Sequence, residues 1–600
     1  MTTGRTGGPS RYRPGRKRRV NTALLTVLAA VLAAALLVAL GAKALTVHAT
    51  CNGQDATVRV AVSSEIEPVI SHAGAYFNRQ HRQVDGHCAQ VSVTSAAASS
   101  VAAQLAQVPS GKARAPADAW IPDSPDWVGV ARATAGAARF VQPTGITVAE
   151  SPLVITMPRP AAGRTPAFGS SVGWNFLMPA AAGGPAASSS LDVQFPDPTQ
   201  SAVGLDGLAQ IKRMVGFGRA ARGALASFAL NVQVVPPAPG DGSLPSLDAF
   251  AQPTAAQTAA AEKAQPGLAK AAAPVTITAE QAVVQFDRAH PTQPLAVRYP
   301  ADGTYQLSFP YVITTTNRLT QAAARAFGSV LTSAYAAAYV RYEGFRTGNG
   351  TAGAWPGWYG LSSAEPRLLP QPGPGRTLSA LHAWHVLGLG SRFLAVNDIS
   401  SSMNVQVTPG GPTLEQVLGS TSAAGMNRFP DSTQMGLWVF ADRLQADLPY
   451  KQLIPMGPLP AQVGVITRRQ AIQQLARSGR ALPHVPAALY GTLLAAYKQM
   501  VATYQPQYVN DIIVLTAGVE NAPGDISANT LIRGLKAAAE PHKPVEILMI
   551  VLGHPGTFPQ LQRIVKVTNG KVWPITSAAE VPQIFYRAFG RRICQPHCPR

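Results

Sequence analysis

The stretch FLAVNDISSSM, Phe393 to Met403, ends an apolar run on Asp398, Ser400 and Ser402. In an extended segment, alternate residues face one side, so one carboxylate and two hydroxyls converge. Hard oxygen donors grouped in this way are the chemistry of a divalent cation. The competing account is that Ser400 and Ser402 cap the next helix and hydrogen-bond Asp398. Five other serines, Ser63, Ser64, Ser99, Ser100 and Ser201, stand where apolar runs give way to helical spacing. Hydroxyls and unpaired N–H groups at helix starts suit an anion, and the same serines suit ordinary capping. His382 and His385 in LHAWH share a helix face, but without a third ligand packing accounts for them. There is no HExxH, no GxxxxGK[ST] and no nucleophile–base pairing, so no enzyme is expected.

The elements that must position these groups form two series. Six hundred residues are too many for one core. TVRVAV, CAQVSV, ADAWIPDS and SPLVITMP read as strands, with helical spacing between them, which predicts a parallel α/β sheet. The Pro/Ala-rich stretch Pro236 to Pro274 reads as a surface excursion, and Leu319 to Phe345 as one long helix. The motifs VAVSSEIEP, ADAWIPDS, DPTQSAVGL and YPADGTYQLSFPYVI resemble those of two-lobed extracellular solute-binding proteins of the molybdate/sulfate-like type. That resemblance covers about Thr57 to Arg346, within a domain expected over residues 51–346. It implies a periplasmic-binding-protein-like fold and a small anionic ligand held between lobes, with the five serines as its donors. A Gly/Pro-rich linker, 347–390, follows.

Residues 391–592 begin a second α/β series. DISSS after its first strand, GLWVF in the next and LTAG after a later one resemble a von Willebrand factor A domain, a Rossmann-like fold. The resemblance implies a protein partner and a metal-ion-dependent adhesion site for Mg²⁺ or Mn²⁺, with Asp398, Ser400 and Ser402 as its first motif. Two further family positions depart from the pattern. Ala487, in HVPAALYGT, stands near the place of the family's threonine, and Ala517, in LTAG, replaces its aspartate. The site is therefore expected to be degenerate and weak for metal, unless Glu520, Asp431 or Asp525 supplies oxygen.

Charge and cysteines bound the compartment. The net charge is +20, and seven of these charges lie in the basic arm 1–19. An uncharged apolar segment, 20–42, is long enough for a transmembrane helix. Basic residues before it place the N-terminus in the cytoplasm and the bulk outside. The alternative is a signal peptide cleaved after Ala42-Lys-Ala44. An outside location makes nucleic acid an unlikely partner. Four cysteines outside the cell predict two local disulfides, Cys51–Cys88 and Cys594–Cys598, the latter in the tail 593–600. Zinc is the alternative for the second pair. The expectation is a membrane-anchored, non-enzymatic binding protein. The other reading is an oxyanion receptor delivering its ligand to a transporter.

Overall fold

A computed structural model describes residues 55–594 apart from 112–113, 187–190, 238–246, 248–249, 251–272, 356–360, 363, 408, 427–428, 446–447, 520–521, 553–557 and 576–579. The arm 1–19, the segment 20–42, Cys51, Cys598, Glu520 and most of the 236–274 excursion lie outside the described residues. Among those described, no helix is long and apolar enough to cross a membrane.

The first domain grows from β1 (Ala56–Val62), whose Val58, Val60 and Val62 are fully buried while Thr57 and Arg59 face out. It continues through α1 (Glu67–Arg79), β2 (Gln83–Val84), β3 (His87–Ser95), α2 (Ala98–Gln107), β4 (Ala119–Ile121) and α3 (Pro125–Arg132). These make the first lobe. β1 lies parallel to both β3 and β4. The second lobe comprises α4 (Arg159–Gly163), β6 (Leu191–Pro196), α5 (Ala202–Val215), α6 (Arg219–Asn231), β7 (Gln233–Val235), β8 (Ala273–Ala279), α7 (Glu280–Ala289) and β9 (Leu295–Arg298).

One long strand, β5 (Gln142–Pro158), joins the lobes. Its first part pairs antiparallel with β10 (Gln306–Ile313), and its last residues pair with β8 and β9. The result is one eleven-stranded sheet, ordered β2-β3-β1-β4-β10-β5-β8-β6-β7, with β9 and β11 (Arg346–Thr347) pairing β5 beside that path. Where one long helix was expected there are two, α8 (Arg318–Leu331) and α9 (Ala334–Tyr342). Ser333 divides them, because its hydroxyl accepts the amide of Ala336 and so starts a new helix.

The stretch expected to be a bare linker contains α10 (Pro374–Gly388), which opens with proline at its first turn. The second domain then runs β12 (Gly390–Asp398), α11 (Leu414–Gly425), β13 (Gln434–Gln445), β14 (Leu448–Pro458), the hairpin β15 (Gln462–Val463) and β16 (Ile466–Thr467), and α12 (Arg468–Ser478). It closes with α13 (Leu489–Ala502), β17 (Tyr508–Thr516), α14 (Ala528–Ala538), β18 (Val545–Leu552), α15 (Phe558–Val565), β19 (Lys571–Ile575) and α16 (Val581–Gly590). Its six strands are ordered β14-β13-β12-β17-β18-β19, all parallel except the β13–β14 pair. β14 carries Pro449, Pro455 and Pro458, residues a sheet tolerates at its edge. α13, α14 and α15 contribute to one apolar core, and α11, α12 and α16 to others.

Candidate functional site

Asp398 sits at the C-terminal end of the central strand β12 and is 1 % exposed. Its Oδ1 accepts the Ser400 amide at 2.9 Å, and its Oδ2 accepts the Thr516 hydroxyl at 2.6 Å. Ser400 Oγ and Ser402 Oγ bond each other at 2.7 Å. Burial raises the Asp398 pKa, opposed by hydrogen bonds from Ser400, Thr516 and the Ala517 amide. DISSS is thus satisfied by its own serines together with Thr516 and Ala517 at the end of β17. Ser400 stands at the start of a short 3₁₀ turn without capping it by its side chain.

The neighbours do not complete a cation site. Asp525 spends both oxygens on the amides of Tyr490 and Gly491, where it holds the start of α13. Asp431 pairs with Arg469 at 2.8 Å. Ala517 is fully buried where a second carboxylate would be needed. Among the described residues no group of three His, Cys, Asp or Glu could hold a metal. These donors do not fit Mg²⁺ or Mn²⁺, which need several hard oxygens turned toward the ion.

The first domain's candidates fall at the sheet's C-terminal edge and at the lobe junction. Ser63 follows β1, and its amide donates to Ile121 O at 3.1 Å, tying it to the end of β4. Its hydroxyl is buried and has no hydrogen-bond partner among the described residues. Ser201, fully buried, accepts the Gly204 amide and caps α5. Ser64 is half-buried beside Ser63. Ser99 and Ser100 lie inside α2, whose N-cap is Ala97, and Ser100 is exposed and bonded by Gln104. Of the five serines, only Ser201 caps a helix by its side chain.

Sequence reasoning missed the acids beside them. Asp123, Asp126 and Asp206 are each at most 3 % exposed. Asp126 lies in the first turn of α3, on lobe one, and Asp206 in the second turn of α5, on lobe two. The two acids bear on each other's pKa, and neither Asp206 oxygen has a hydrogen-bond partner among the described residues, an arrangement that favours a proton on one of them. Burial raises the Asp206 pKa well above the usual range, and the charges of Asp126 and Asp123 add to it. Asp126 is raised by burial, opposed by Asp206 and by Thr377 of α10. Gln210, one turn beyond Asp206, has a buried amide nitrogen without a partner among the described residues. No motif announces this cluster, because Asp126 and Asp206 are far apart in sequence and meet only where α3 of one lobe faces α5 of the other.

α10 completes the junction. Pro374 packs on Gly129 of α3, where a Cβ would lie 3.0 Å from the proline ring. On lobe two, Lys212 Nζ donates to Ser379 at 2.6 Å, and the Trp384 and Phe195 rings lie 5.9 Å apart. Ala380, Ala383, Trp384 and Leu387 share one apolar core with both lobes and with Phe589 of α16. α16 in turn crosses α6 closely, and a Cβ on Gly590 would lie 2.6 Å from Arg222 O. Cys88 and Cys594 are each engaged in a disulfide, whose partners lie outside the described residues.

Among curated proteins none matches the chain. Solved structures similar to it include the periplasmic binding protein AfuA from Actinobacillus pleuropneumoniae with exogenous fructose-6-phosphate bound (13 % identity, 56 % of this chain and 98 % of that one, TM-score 0.37). The sulfate-binding protein SubI from Mycobacterium tuberculosis is another (17 %, 51 % and 92 %, 0.32). A von Willebrand factor type A protein from Catenulispora acidiphila is similar over a shorter span (14 %, 34 % and 43 %, 0.26). The two-lobed first domain, residues 58–346, matches the family described as bacterial extracellular solute-binding protein.

Proposed function

We propose that this chain is a non-enzymatic extracytoplasmic binding protein whose solute-binding-type domain is fixed to its second domain as a receptor or scaffold, and does not shuttle solute. The observation that carries this is α10, which packs on α3 of one lobe and α5 of the other within a single core. A carrier must open and close to hand over its ligand, and a helix seated on both lobes opposes that opening. In this proposal the apolar segment 20–42 anchors the chain in the membrane. The second domain, of von Willebrand factor A type with a degenerate adhesion site, receives a protein partner. Disulfides Cys51–Cys88 and Cys594–Cys598 fasten the two ends. Peptide mapping without reductant checks that pairing, and a Cys51–Cys594 peptide would refute it.

The oxyanion-carrier reading has Ser63 and Ser201 at the lobe junction in its favour. Against it stand Asp123, Asp126 and Asp206, since buried acids repel an anion. Spin labels at Gln104 and Asn231, on opposite lobes, decide between the two. The scaffold reading expects one narrow distance, unchanged by millimolar sulfate, molybdate or phosphate. A shift to a shorter distance on adding any of them restores the carrier.

A further inference from the structure

The corner between α5 and α6 presents Phe217, 98 % exposed, between Gly216 at φ 76° and Gly218 at φ 95°. Such backbone angles favour glycine, so both flanking residues suit a tight loop that pushes the ring into solvent. Basic residues surround it. Arg213 and Arg219 are exposed on either side, and no Asp or Glu occurs between Asp206 and Asp241. The cation group extends onto the second domain. Arg222 and Lys571 both feel the charges of Arg219 and Arg591, and Arg587 of α16 lies against Gly223. Glu546 answers Arg591 at 3.3 Å. Directly beside the loop is an open recess of about 270 Å³ of mixed polarity, lined by Asn175, Met178, Met214, Val215, Ala221 and Ala224.

We propose that this corner docks on an anionic phospholipid surface, with Phe217 entering the acyl boundary and the arginines on the headgroups. A protruding aromatic flanked by the exposed cations Arg213 and Arg219 is complementary to such an interface. Apolar contact holds depth while each basic side chain adds attraction to the surface. A lone ring at a loop tip lacks the broad flat apolar patch that a stable protein interface buries. Both domains contribute cations, so docking here would set the orientation of the second domain relative to the membrane.

The test uses the full chain carrying a polarity-sensitive dye at Phe217→Cys or, as control, at Val465→Cys. Val465 is equally exposed, at 98 %, on the β15–β16 hairpin, where Arg469 is already paired with Asp431. No described cysteine is free, and native chain treated with the same dye controls for labelling at Cys51 and Cys598. Nanodiscs of phosphatidylcholine alone, or mixed with phosphatidylglycerol, are supplied. The expected result is a blue shift at position 217 only, only with the anionic lipid, and reduced by salt. In unlabelled chain, Arg219→Glu and Arg222→Glu should each weaken anionic-nanodisc binding about fivefold. Equal emission at 217 and 465 with anionic nanodiscs overturns the proposal. So does shielding of 217 by polyglutamate or by self-association when anionic nanodiscs have no effect. Either outcome would leave the scaffold function untouched, because that is read from the inter-lobe distance.

Discussion

Asp398, at the end of β12, and Asp206, in the second turn of α5, are both buried acids, yet they are held in opposite ways. Asp398 is met by the hydroxyls of Ser400 and Thr516 and by the amides of Ser400 and Ala517, all donors, so its charge is compensated. Asp206 is met by Asp126, another acceptor, and the charge of Asp123 presses on both. Burial pushes both pKa values up, and the partner decides how far. An acid among donors is a structural bolt. An acid against an acid is a joint that holds only while it keeps a proton.

The largest effect is expected from Asp398→Ala. The Thr516 hydroxyl and the Ser400 and Ala517 amides would be left buried and unpaired, costing about 3 kcal/mol or more in a urea titration. Loss of less than half that amount would mean that water reaches the site and that Asp398 is no bolt.

Ala517→Asp would turn the donor-rich site into a copy of the acid pair. We expect a loss of about 2 kcal/mol at neutral pH without metal, since two buried carboxylates repel, and recovery when Mg²⁺ is added. A variant destabilised and not rescued by Mg²⁺ would show that geometry, beyond the missing carboxylate, prevents coordination.

Asp206→Asn should act through pH. The folded-state pKa values of Asp126 and Asp206 lie above the ordinary carboxylate value, so the folded state binds the shared proton more tightly than the unfolded chain. This stabilisation is complete below the unfolded carboxylate pKa and is lost as pH rises through the raised folded values. The native chain should therefore lose thermal stability on the alkaline side, and the Asn variant should lose less. The difference is about 1.4 kcal/mol for each pKa unit relieved. Parallel curves for the two proteins would place the proton elsewhere.

The smallest effect is that of Mg²⁺ on the native chain. Millimolar metal against a millimolar site adds about 0.4 kcal/mol, near the floor of a thermal-shift assay. A clear rise in melting temperature would mean that another oxygen completes the site around Asp398.

Much of this architecture was legible along the chain. Alternation in TVRVAV and the helical spacing after it mark the first lobe, and DISSS marks the end of β12, because these signals are local. Local signals also announced what the second site lacks, since Ala517 in LTAG carries no oxygen. The joint at Asp126 and Asp206 was not legible. Each reads as an ordinary acid in a helix's first or second turn, and only the meeting of α3 with α5 makes them a pair. Helical spacing in LHAWH hinted at α10, but its extent and its seat on both lobes were hidden for another reason. The Gly and Pro content of 347–373 carries over a composition average and masks TLSALHAWHVLG, a helix that buries Ala380 and Ala383 against both lobes. The orphan hydroxyl of Ser63 is likewise a property of packing, which no single-chain pattern encodes.

The seat of α10 also fixes how far the second domain can travel. A free chain as long as residues 347–390 could stretch about 150 Å, enough to let the second domain roam over its surroundings. Folded against both lobes, α10 itself spans about 22 Å and ends one residue from β12. The second domain is therefore set at a short, constant stand-off. A partner must come to it, and any pull the partner exerts enters the first domain through a buried helix with no slack to take up.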